Sequence, residues 1–229
     1  MVTGAAKRLG KCVALALARQ GADVVVHYRS SEDEAASTAE EIRSLGRRAW
    51  RVQGDLSDVG RAEELFAEAM DKAGSVDVLI NNASIFPEGT LADLTPEDLG
   101  RNVNVNALAP FLLGRALAAQ GREGAIVNLL DCRISEYDHK HVAYHLSKRM
   151  LFSLTRMMAM EFAPKVRVNG VAPGLILPPE GQDETYLERL AHTNPLNAHG
   201  GPQDIADAAA YLVRSGFITG QVIYVDGGR

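Results

Sequence analysis

Residues 3–10 read TGAAKRLG, and the apolar stretch Val24–Tyr28 follows them after a helical pattern. Gly4 permits a tight turn, and Gly10 permits a helix to pack closely against a strand. A helix that begins within this segment presents unpaired backbone N–H groups to a pyrophosphate. Two glycines are a weak signal by themselves, but their place ahead of a helix and a further strand predicts a dinucleotide-binding βαβ unit.

Apolar β-branched runs alternate with helical patterns along the rest of the chain. This alternation is typical of a parallel sheet that has helices on both faces. We predict an α/β fold: a single doubly wound (Rossmann) domain over residues 1–229, with a parallel seven-stranded sheet flanked by helices. Because only residues 1–3 precede Gly4, the first strand is expected to be short or truncated. The other candidate strands are 24–28, 49–53, 77–80, 125–130, 166–171 and 222–225, and the helical stretches are 11–19, 32–45, 60–73, 96–119, 143–163, 184–191 and 205–213.

The composition restricts the possible partners and compartments. A hydrophobic content of 46% and a charged content of 23% are ordinary for a soluble globular chain. The formal charge of −5 argues against nucleic acid or an anionic membrane as the main partner. No apolar run approaches the ~18 residues that span a bilayer, and the first residues lack the layout of a signal peptide. The spacing of Cys12 and Cys132 fits neither a metal site nor a disulfide framework, so we expect a cytoplasmic protein.

The residues at the end of the stretch Val24–Tyr28 discriminate between dinucleotides. An NAD site usually places an acid there, which accepts hydrogen bonds from the ribose hydroxyls. This chain continues with Arg29 and Ser30 instead, and a guanidinium and a hydroxyl match a 2′-phosphate. Lys7 adds a second positive charge, so the sequence favours NADP(H) over NAD. The alternative is that Arg29 is only a solvated loop charge.

Tyr144 and Lys148 form a Tyr-x-x-x-Lys pair, one helical turn apart. A phenol and an ammonium group on one face of a helix suit proton transfer to a carbonyl or an imine. Asp131 lies thirteen residues before Tyr144 and adds a carboxylic acid. If ionised, Asp131 could accept hydrogen bonds and help to resupply Tyr144 with protons; if protonated, it could donate directly. The alternative is an aspartate that caps a strand end and inactivates the site.

The chain resembles the short-chain dehydrogenase/reductase family over nearly its whole length. Six motifs occur in the family's order and with family-like spacings, and together they are very specific. They are the loop 3–10, Asn81-Asn82-Ala83, Asn106, Tyr144-x-x-x-Lys148, the segment 168–174 (VNGVAPG) and Asp226-Gly227-Gly228.

The resemblance implies roles for particular residues and a homotetramer. Tyr144 would be the general acid, and Lys148 would hold the nicotinamide ribose and lower the tyrosine pKa. Asn106 would sustain a water relay to Lys148, and Asp131 would complete the catalytic set. The implied cofactor-binding residues are Gly4, Lys7, Arg8, Leu9, Gly10, Tyr28, Arg29, Ser30, Asp55, Leu56, Asn82, Ala83, Ser84, Tyr144, Lys148, Pro173 and Gly174.

Within that family the chain looks most like pteridine reductases. Arg8 replaces the usual middle glycine of the loop, Ser84 replaces another glycine, and Asp131 stands at the catalytic serine position. The resemblance implies that a pterin ring stacks on Phe86, where a flat heteroaromatic ring gains offset π contact. The alternatives are core packing for Phe86 and a phosphate contact alone for Arg8. The implied substrate-binding residues are Arg8, Ser84, Phe86, Asp131, Tyr144, Gly174 and Leu175.

Two Pro/Gly-rich segments, 173–181 and 195–202, bracket the helical pattern 184–191. A long loop in a compact domain often covers a substrate, so we predict a substrate loop around residues 175–202. A variable surface excursion is the alternative.

Three histidines, His139, His141 and His145, lie close to Tyr144 in the sequence. Metal ligation would require convergent geometry and further ligands, and the predicted chemistry needs no metal. We interpret these histidines as a polar loop at the rim of the site.

The predicted function is NADPH-dependent reduction of a pterin or folate C=N bond, with protons delivered through Tyr144 and Asp131. One alternative is a short-chain carbonyl reductase such as a 3-oxoacyl-carrier-protein reductase, against which the absence of serine at position 131 counts. Another is a non-catalytic NADP-binding regulatory protein. The intact set of Asn106, Tyr144 and Lys148 counts against that second alternative.

Overall fold

The computed structural model describes residues 1–136, 138–179 and 181–229. Strands and helices alternate along the chain, which confirms the predicted α/β class. The strands are β1 (Val24–Tyr28), β2 (Ala49–Gln53), β3 (Val78–Asn81), β4 (Gly124–Leu129), β5 (Val166–Pro173) and β6 (Val222–Val225). The α-helices are α1 (Arg8–Arg19), α2 (Glu32–Ser44), α3 (Val59–Ala73), α4 (Pro96–Val103), α5 (Ala109–Ala119), α6 (Val142–Glu161), α7 (Glu184–Leu190) and α8 (Pro202–Arg214).

All strand pairs are parallel, in two runs of order β2-β1 and β3-β4-β5-β6. Val2 joins the runs, because it forms parallel bridges with Val26 of β1 and with Ile80 of β3. The Ile80 N–H donates to the Met1 carbonyl at 2.9 Å, and the Val2 N–H donates to the Val25 carbonyl at 3.0 Å. Seven strands are therefore not confirmed: the described residues form six, and the central position is held by bridging residues alone.

Helices cover both faces of this sheet, as the apolar runs predict. One buried cluster joins α1, α2 and α8 to the sheet, with Val13, Ile42 and Leu212 fully buried. A second cluster joins α3, α5 and α6, with Leu65 and Leu113 fully buried. β1 and β4 are buried almost throughout, which explains why their sequences are nearly continuously apolar rather than alternating. Among the described residues, no helix is both long enough and apolar enough to cross a membrane.

The prediction of one helix over 96–119 is wrong, because the structure has two α-helices in this range. A π-helical turn, Asn104–Leu108, separates α4 from α5. The turn carries Asn106, whose fully buried side chain bonds to the backbone of Ile85 in both directions, at 2.9 and 3.0 Å. A π turn inserts one residue into the helical repeat and so re-aims a side chain, which is why such turns are frequent at functional sites.

Candidate active site

A cleft of about 740 Å³ lies at the carboxyl ends of β1, β2 and β3. A doubly wound sheet binds ligands at this edge, beside the point where the strand order reverses, and Val2 marks that point. The predicted site residues that line the cleft are Gly4, Lys7, Arg8, Leu9, Gly10, Tyr28, Arg29, Ser30, Asp55, Leu56, Asn82, Ala83, Ser84 and Phe86. The predicted residues outside its lining are Asn106, Asp131, Tyr144, Lys148, Pro173, Gly174 and Leu175.

The glycine loop (residues 3–10) has the tight turn and the close packing that its sequence predicts. Gly4 has a φ of +61°, a conformation that favours glycine. A Cβ on Gly10 would lie 2.2 Å from the Gly4 carbonyl oxygen and 2.5 Å from the Asn82 amide nitrogen, so no larger residue fits. The Asn82 side chain donates to the carbonyls of Thr3 and Gly4 at 2.9 and 3.1 Å. Asn82 thus holds the loop to the end of β3, where it shapes one wall of the cleft.

His27 lines the cleft as well, although its sequence context does not predict it as a site residue. Its ring is 2% exposed; Nδ1 accepts from the Gly4 N–H and Nε2 donates to the Gly54 carbonyl, both at 3.1 Å. Burial lowers its pKa to about 4, against the opposing effects of the Gly54 hydrogen bond and the charge of Asp55. A neutral imidazole therefore ties the glycine loop to the end of β2. A single histidine in the apolar strand Val24–Tyr28 is the only sequence signal of this role.

We expect this histidine to make stability sensitive to acid. Its folded pKa of about 4 lies below the ordinary 6.5, so the unfolded chain binds a proton first as the pH falls. The free energy of unfolding should drop by about 2 kcal/mol from this group between about pH 7 and about pH 4.5. His27→Gln keeps a neutral hydrogen-bonding side chain and should remove this dependence of the free energy of unfolding on pH. Urea unfolding of both proteins at several pH values tests this expectation. An equal dependence of the free energy of unfolding on pH in the two proteins would contradict it.

The outer end of the cleft carries positive charge. Arg29 and Ser30 are exposed and line the cleft, and the Arg29 carbonyl accepts a hydrogen bond from Gln53 at 3.1 Å. Burial opposes ionisation of Asp55, yet hydrogen bonds from Ser57 and the charge of Arg29 lower its pKa. A guanidinium beside a hydroxyl fits a phosphate ester, and Asp55 offers acceptors for the remaining polar edge of a nucleotide.

The predicted catalytic pair, Tyr144 and Lys148, lies in the N-terminal half of α6. The Tyr144 hydroxyl donates to Oδ2 of Asp131 at 2.8 Å, and Nζ of Lys148 donates to the Leu129 carbonyl at 2.7 Å. Nζ of Lys148 lies 5.7 Å from the centroid of the Tyr144 ring. The structure therefore brings together the phenol, the ammonium and the acid that the sequence placed in one site.

The electrostatics of the pair differ from the expectation for the tyrosine. Burial and then the Asp131 carboxylate raise the pKa of Tyr144 well above 10, although Lys148 was expected to lower it. Burial lowers the pKa of Lys148 to about 8, and Asp131 opposes that shift. Because the carboxylate lies against the phenol, Tyr144 is held in its protonated form. The arrangement suits a proton donor.

Asp131 uses its two oxygens differently. It follows the end of β4 closely, and Oδ1 accepts from the backbone N–H of Arg133 at 2.8 Å. Oδ2 accepts from Tyr144. The capping role and the proton-path role, which the sequence left as alternatives, are thus compatible in one side chain.

Asn106 reaches the site through neighbouring residues. Its amide donates to the Ser147 hydroxyl at 2.9 Å, and its oxygen accepts from the Ser84 hydroxyl at 3.1 Å. Ser147 precedes Lys148 on α6, so the π turn fixes the segment that carries the lysine. The implied water relay from Asn106 to Lys148 stays a prediction.

Phe86 is 51% exposed, which makes core packing the wrong interpretation of this side chain. Its ring stacks on His141 with centroids 3.8 Å apart and meets Tyr144 edge-on at 4.5 Å. An aromatic side chain that is half exposed beside a proton donor is available to a flat ligand.

The predicted substrate loop divides between two places. Leu177 and the prolines at 178 and 179 line the cleft. Residues 195, 196 and 198–200, together with Leu175, line a separate cavity of about 630 Å³ that also includes residues 224–228. Leu175 lines that second cavity, and its carbonyl accepts from the Gly200 N–H at 2.9 Å; its contact with substrate stays a prediction. Glu180, within the predicted loop, is outside the described residues.

The segment at the end of β5 lies close to the backbone that follows β6. The Pro173 carbonyl accepts from the Cys132 N–H at 3.1 Å, which places Pro173 beside the residue that follows Asp131. A Cβ on Gly174 would lie 2.6 Å from the Cα of Asp226. Glycine is required there by close backbone approach.

Residues 4–229 match a family model described as enoyl-(acyl carrier protein) reductase. The chain belongs to the short-chain dehydrogenase/reductase family. Versicolorin reductase 1 of Aspergillus parasiticus is 33% identical, with 100% of this chain and 94% of the relative covered. A 3-oxoacyl-acyl-carrier-protein reductase of Staphylococcus epidermidis is 31% identical, with 100% and 97% covered.

Solved structures of the same short-chain dehydrogenase/reductase fold are similar over almost the whole chain. Alternative dihydrofolate reductase 1 (FolM) from Brucella suis, in complex with NADP, has a TM-score of 0.93 and 34% identity and covers 99% of this chain and 92% of its own. A blue fluorescent protein from a metagenomic library, in complex with NADPH, has a TM-score of 0.92 and 32% identity, with 99% and 95% covered. The cofactor prediction agrees with both complexes; one of these relatives is named for a 3-oxoacyl substrate and another for dihydrofolate.

Arg8 departs from the glycine that most short-chain dehydrogenases/reductases carry in this loop. Its φ of +53° lies in the left-handed region, which costs a non-glycine residue about 1 kcal/mol or more. Its guanidinium donates to the Pro178 carbonyl at 2.5 Å, across the mouth of the cleft. A strained residue persists where the surroundings require its side chain, and here the side chain connects the glycine loop to the predicted substrate loop.

Proposed function

We propose that this chain reduces a C=N bond of a pterin or folate ring with NADPH. The observation that carries the proposal is the 2.8 Å hydrogen bond from the Tyr144 hydroxyl to the Asp131 carboxylate, beside the half-exposed ring of Phe86. A hydroxyl in place of Asp131 can orient a ketone oxygen. A carboxylate beside the phenol serves a basic ring nitrogen better, because it can accept hydrogen bonds from ring N–H groups.

The cofactor is NADP(H). The close-packed glycine loop and the exposed Arg29 and Ser30 fit a dinucleotide with a 2′-phosphate. When bound, NADPH supplies the hydride. Lys148, held by the Leu129 carbonyl, offers the ammonium group that would bind the nicotinamide ribose.

The chain's own residues handle the protons in this proposal. Tyr144 stays protonated because burial and Asp131 raise its pKa, so it can protonate the ring nitrogen. The phenol proton that Asp131 accepts in the structure is the one transferred, so tyrosinate and carboxylate are then two adjacent anions, and their repulsion favours reprotonation of Tyr144 from water. Arg8 and Ser84, which both line the cleft, would face the polar edge of the substrate.

The proposal extends to the arrangement of the whole chain. Residues 1–229 would act as one NADP-binding domain, with residues 177–179 of the predicted 175–202 loop closing over the substrate. A cytoplasmic homotetramer remains part of the proposal, by resemblance to the family.

Carbonyl reduction is the second candidate function. It is favoured by the 31% identity to a 3-oxoacyl-acyl-carrier-protein reductase over the full chain. The carboxylate at position 131 counts against it, since an anion would repel a developing alkoxide.

The proposal is tested by NADPH oxidation measured in parallel with dihydrobiopterin, dihydrofolate and a 3-ketoacyl ester. We expect turnover of at least one pterin or folate at a catalytic efficiency well above that for the ester. Turnover of the ester alone would replace the proposal by the second candidate.

A further inference from the structure

The segment that carries Phe86 is fastened to the start of the catalytic helix. Gly89 and His141 form a parallel β-bridge, in which the Gly89 N–H donates to the Lys140 carbonyl at 2.7 Å. The Val142 N–H donates to the Gly89 carbonyl at 3.1 Å. Since Val142 begins α6, these bonds tie the loop after β3 to the helix that presents Tyr144.

His141 is the side chain at the centre of this connection. Its Nδ1 lies 3.0 Å from the Pro87 carbonyl; a carbonyl oxygen only accepts, so Nδ1 carries the proton and donates. The hydrogen bond fixes the plane of the imidazole. The imidazole stacks on Phe86 with an interplanar angle of 16° and a centroid separation of 3.8 Å.

The stack leaves one face of the phenylalanine ring for a ligand. Phe86 lines the cleft and His141 does not, and the imidazole covers one face of the Phe86 ring. The Tyr144 ring contacts the Phe86 ring in a T-shaped arrangement at an interplanar angle of 85°, which restricts rotation of the phenylalanine ring about its Cβ–Cγ bond. The exposed half of the Phe86 side chain is the part that a ligand in the cleft can contact.

We propose that His141 is a positioning residue that holds Phe86 as a flat platform, and that it thereby selects planar ring substrates over flexible ones. The inference deepens the proposed function and rests on it for the identity of the ring. An exposed phenylalanine on a loop would otherwise lose rotamer freedom when a ligand stacks on it. With His141 in place, that ordering is complete before the substrate arrives.

The test compares His141→Ala and His141→Phe with His139→Ala, an exposed histidine two residues away. Pterin binding to the NADP⁺ complex is followed by pterin fluorescence, and KM and kcat are measured for dihydrobiopterin and NADPH. For His141→Ala we expect the pterin Kd and the dihydrobiopterin KM to rise about 10-fold, with kcat and the NADPH KM changed less than about 3-fold. His141→Phe keeps an aromatic ring under Phe86 and should restore most of the affinity.

Three outcomes would overturn the inference. One is unchanged pterin affinity in His141→Ala. Another is a loss of NADPH affinity as large as the loss of pterin affinity, together with a lower melting temperature, which would indicate a structural role. The third is a loss of the same size in His139→Ala.

The failure of the proposed function is distinguishable from these outcomes. A wild-type protein that neither binds nor reduces pterins contradicts the proposed function alone. In that case the role of His141 is decided by the KM for an aromatic ketone relative to an aliphatic ketoester. His141→Ala should raise only the first, and an equal rise in both would refute the positioning role.

Discussion

Asp131→Asn is expected to reduce the rate of pterin reduction by about 100-fold, within the range that a positioned acid or base contributes. Asparagine keeps the size of the side chain, and its amide oxygen can still accept from the Arg133 N–H as Oδ1 of Asp131 does. Its NH2 group stands in place of the oxygen that accepts from Tyr144, so the variant loses both the negative charge and that acceptor. The variant therefore separates the capping role of Asp131 from its role in proton delivery, which Asp131→Ala would not do.

The same variant should lose activity at a lower pH than the wild type does. Reduction requires a protonated Tyr144 and a charged Lys148. The pKa of Tyr144 is raised by burial and then by Asp131; burial lowers the pKa of Lys148 to about 8, and Asp131 limits that fall. Removing the charge lowers both pKa values, so both effects move the alkaline limb of the kcat profile in the same direction.

Glu136→Gln is the matched control, because Glu136 is a nearby carboxylate that pairs with Arg133 at 2.9 Å. It should leave the alkaline limb where the wild type has it. A full pterin reductase rate in Asp131→Asn, with an unchanged pH profile, would show that Asp131 only caps the turn after β4.

The fold was predictable because several local signals agree. The apolar runs give the bounds of β1 and β2 without error; all five residues of β1 are buried, and Ala49 and Val52 anchor β2. The first strand was less predictable: Val2 bridges both neighbours, yet residues 1–3 show no periodicity. The π turn at Asn104–Leu108 was missed because its sequence continues a helical pattern, and only the bonds of Asn106 reveal it.

The candidate site was predictable where residue type alone carries the chemistry. Tyr144, Lys148 and Asp131 meet as their spacing and resemblance indicated. The supporting residues were not, since His27 and His141 act through partners that lie far from them in the sequence. His27 bonds to Gly4 and Gly54, and no spacing rule links those positions.

Arg29→Asp is expected to reverse the cofactor preference and has the second large effect. Charge-assisted hydrogen bonds to a phosphate are worth about 1.5–3 kcal/mol, and an aspartate would add repulsion. We therefore expect kcat/KM for NADPH to fall by about 100-fold or more. The kcat/KM for NADH should fall little, because an acid at the end of β1 can accept hydrogen bonds from the ribose hydroxyls. Steady-state kinetics with both cofactors and one fixed substrate measure the change.

Arg214→Asp provides the control for a change of charge, since Arg214 is exposed at the end of α8 and does not line the cleft. It should leave the ratio of the two cofactors unchanged. Raising the salt concentration should weaken NADPH binding in the wild type more than in Arg29→Asp, because salt screens the attraction between the guanidinium and the phosphate. If Arg29→Asp kept the wild-type preference for NADPH, the guanidinium would be a solvated loop charge and the phosphate would be bound elsewhere in the cleft.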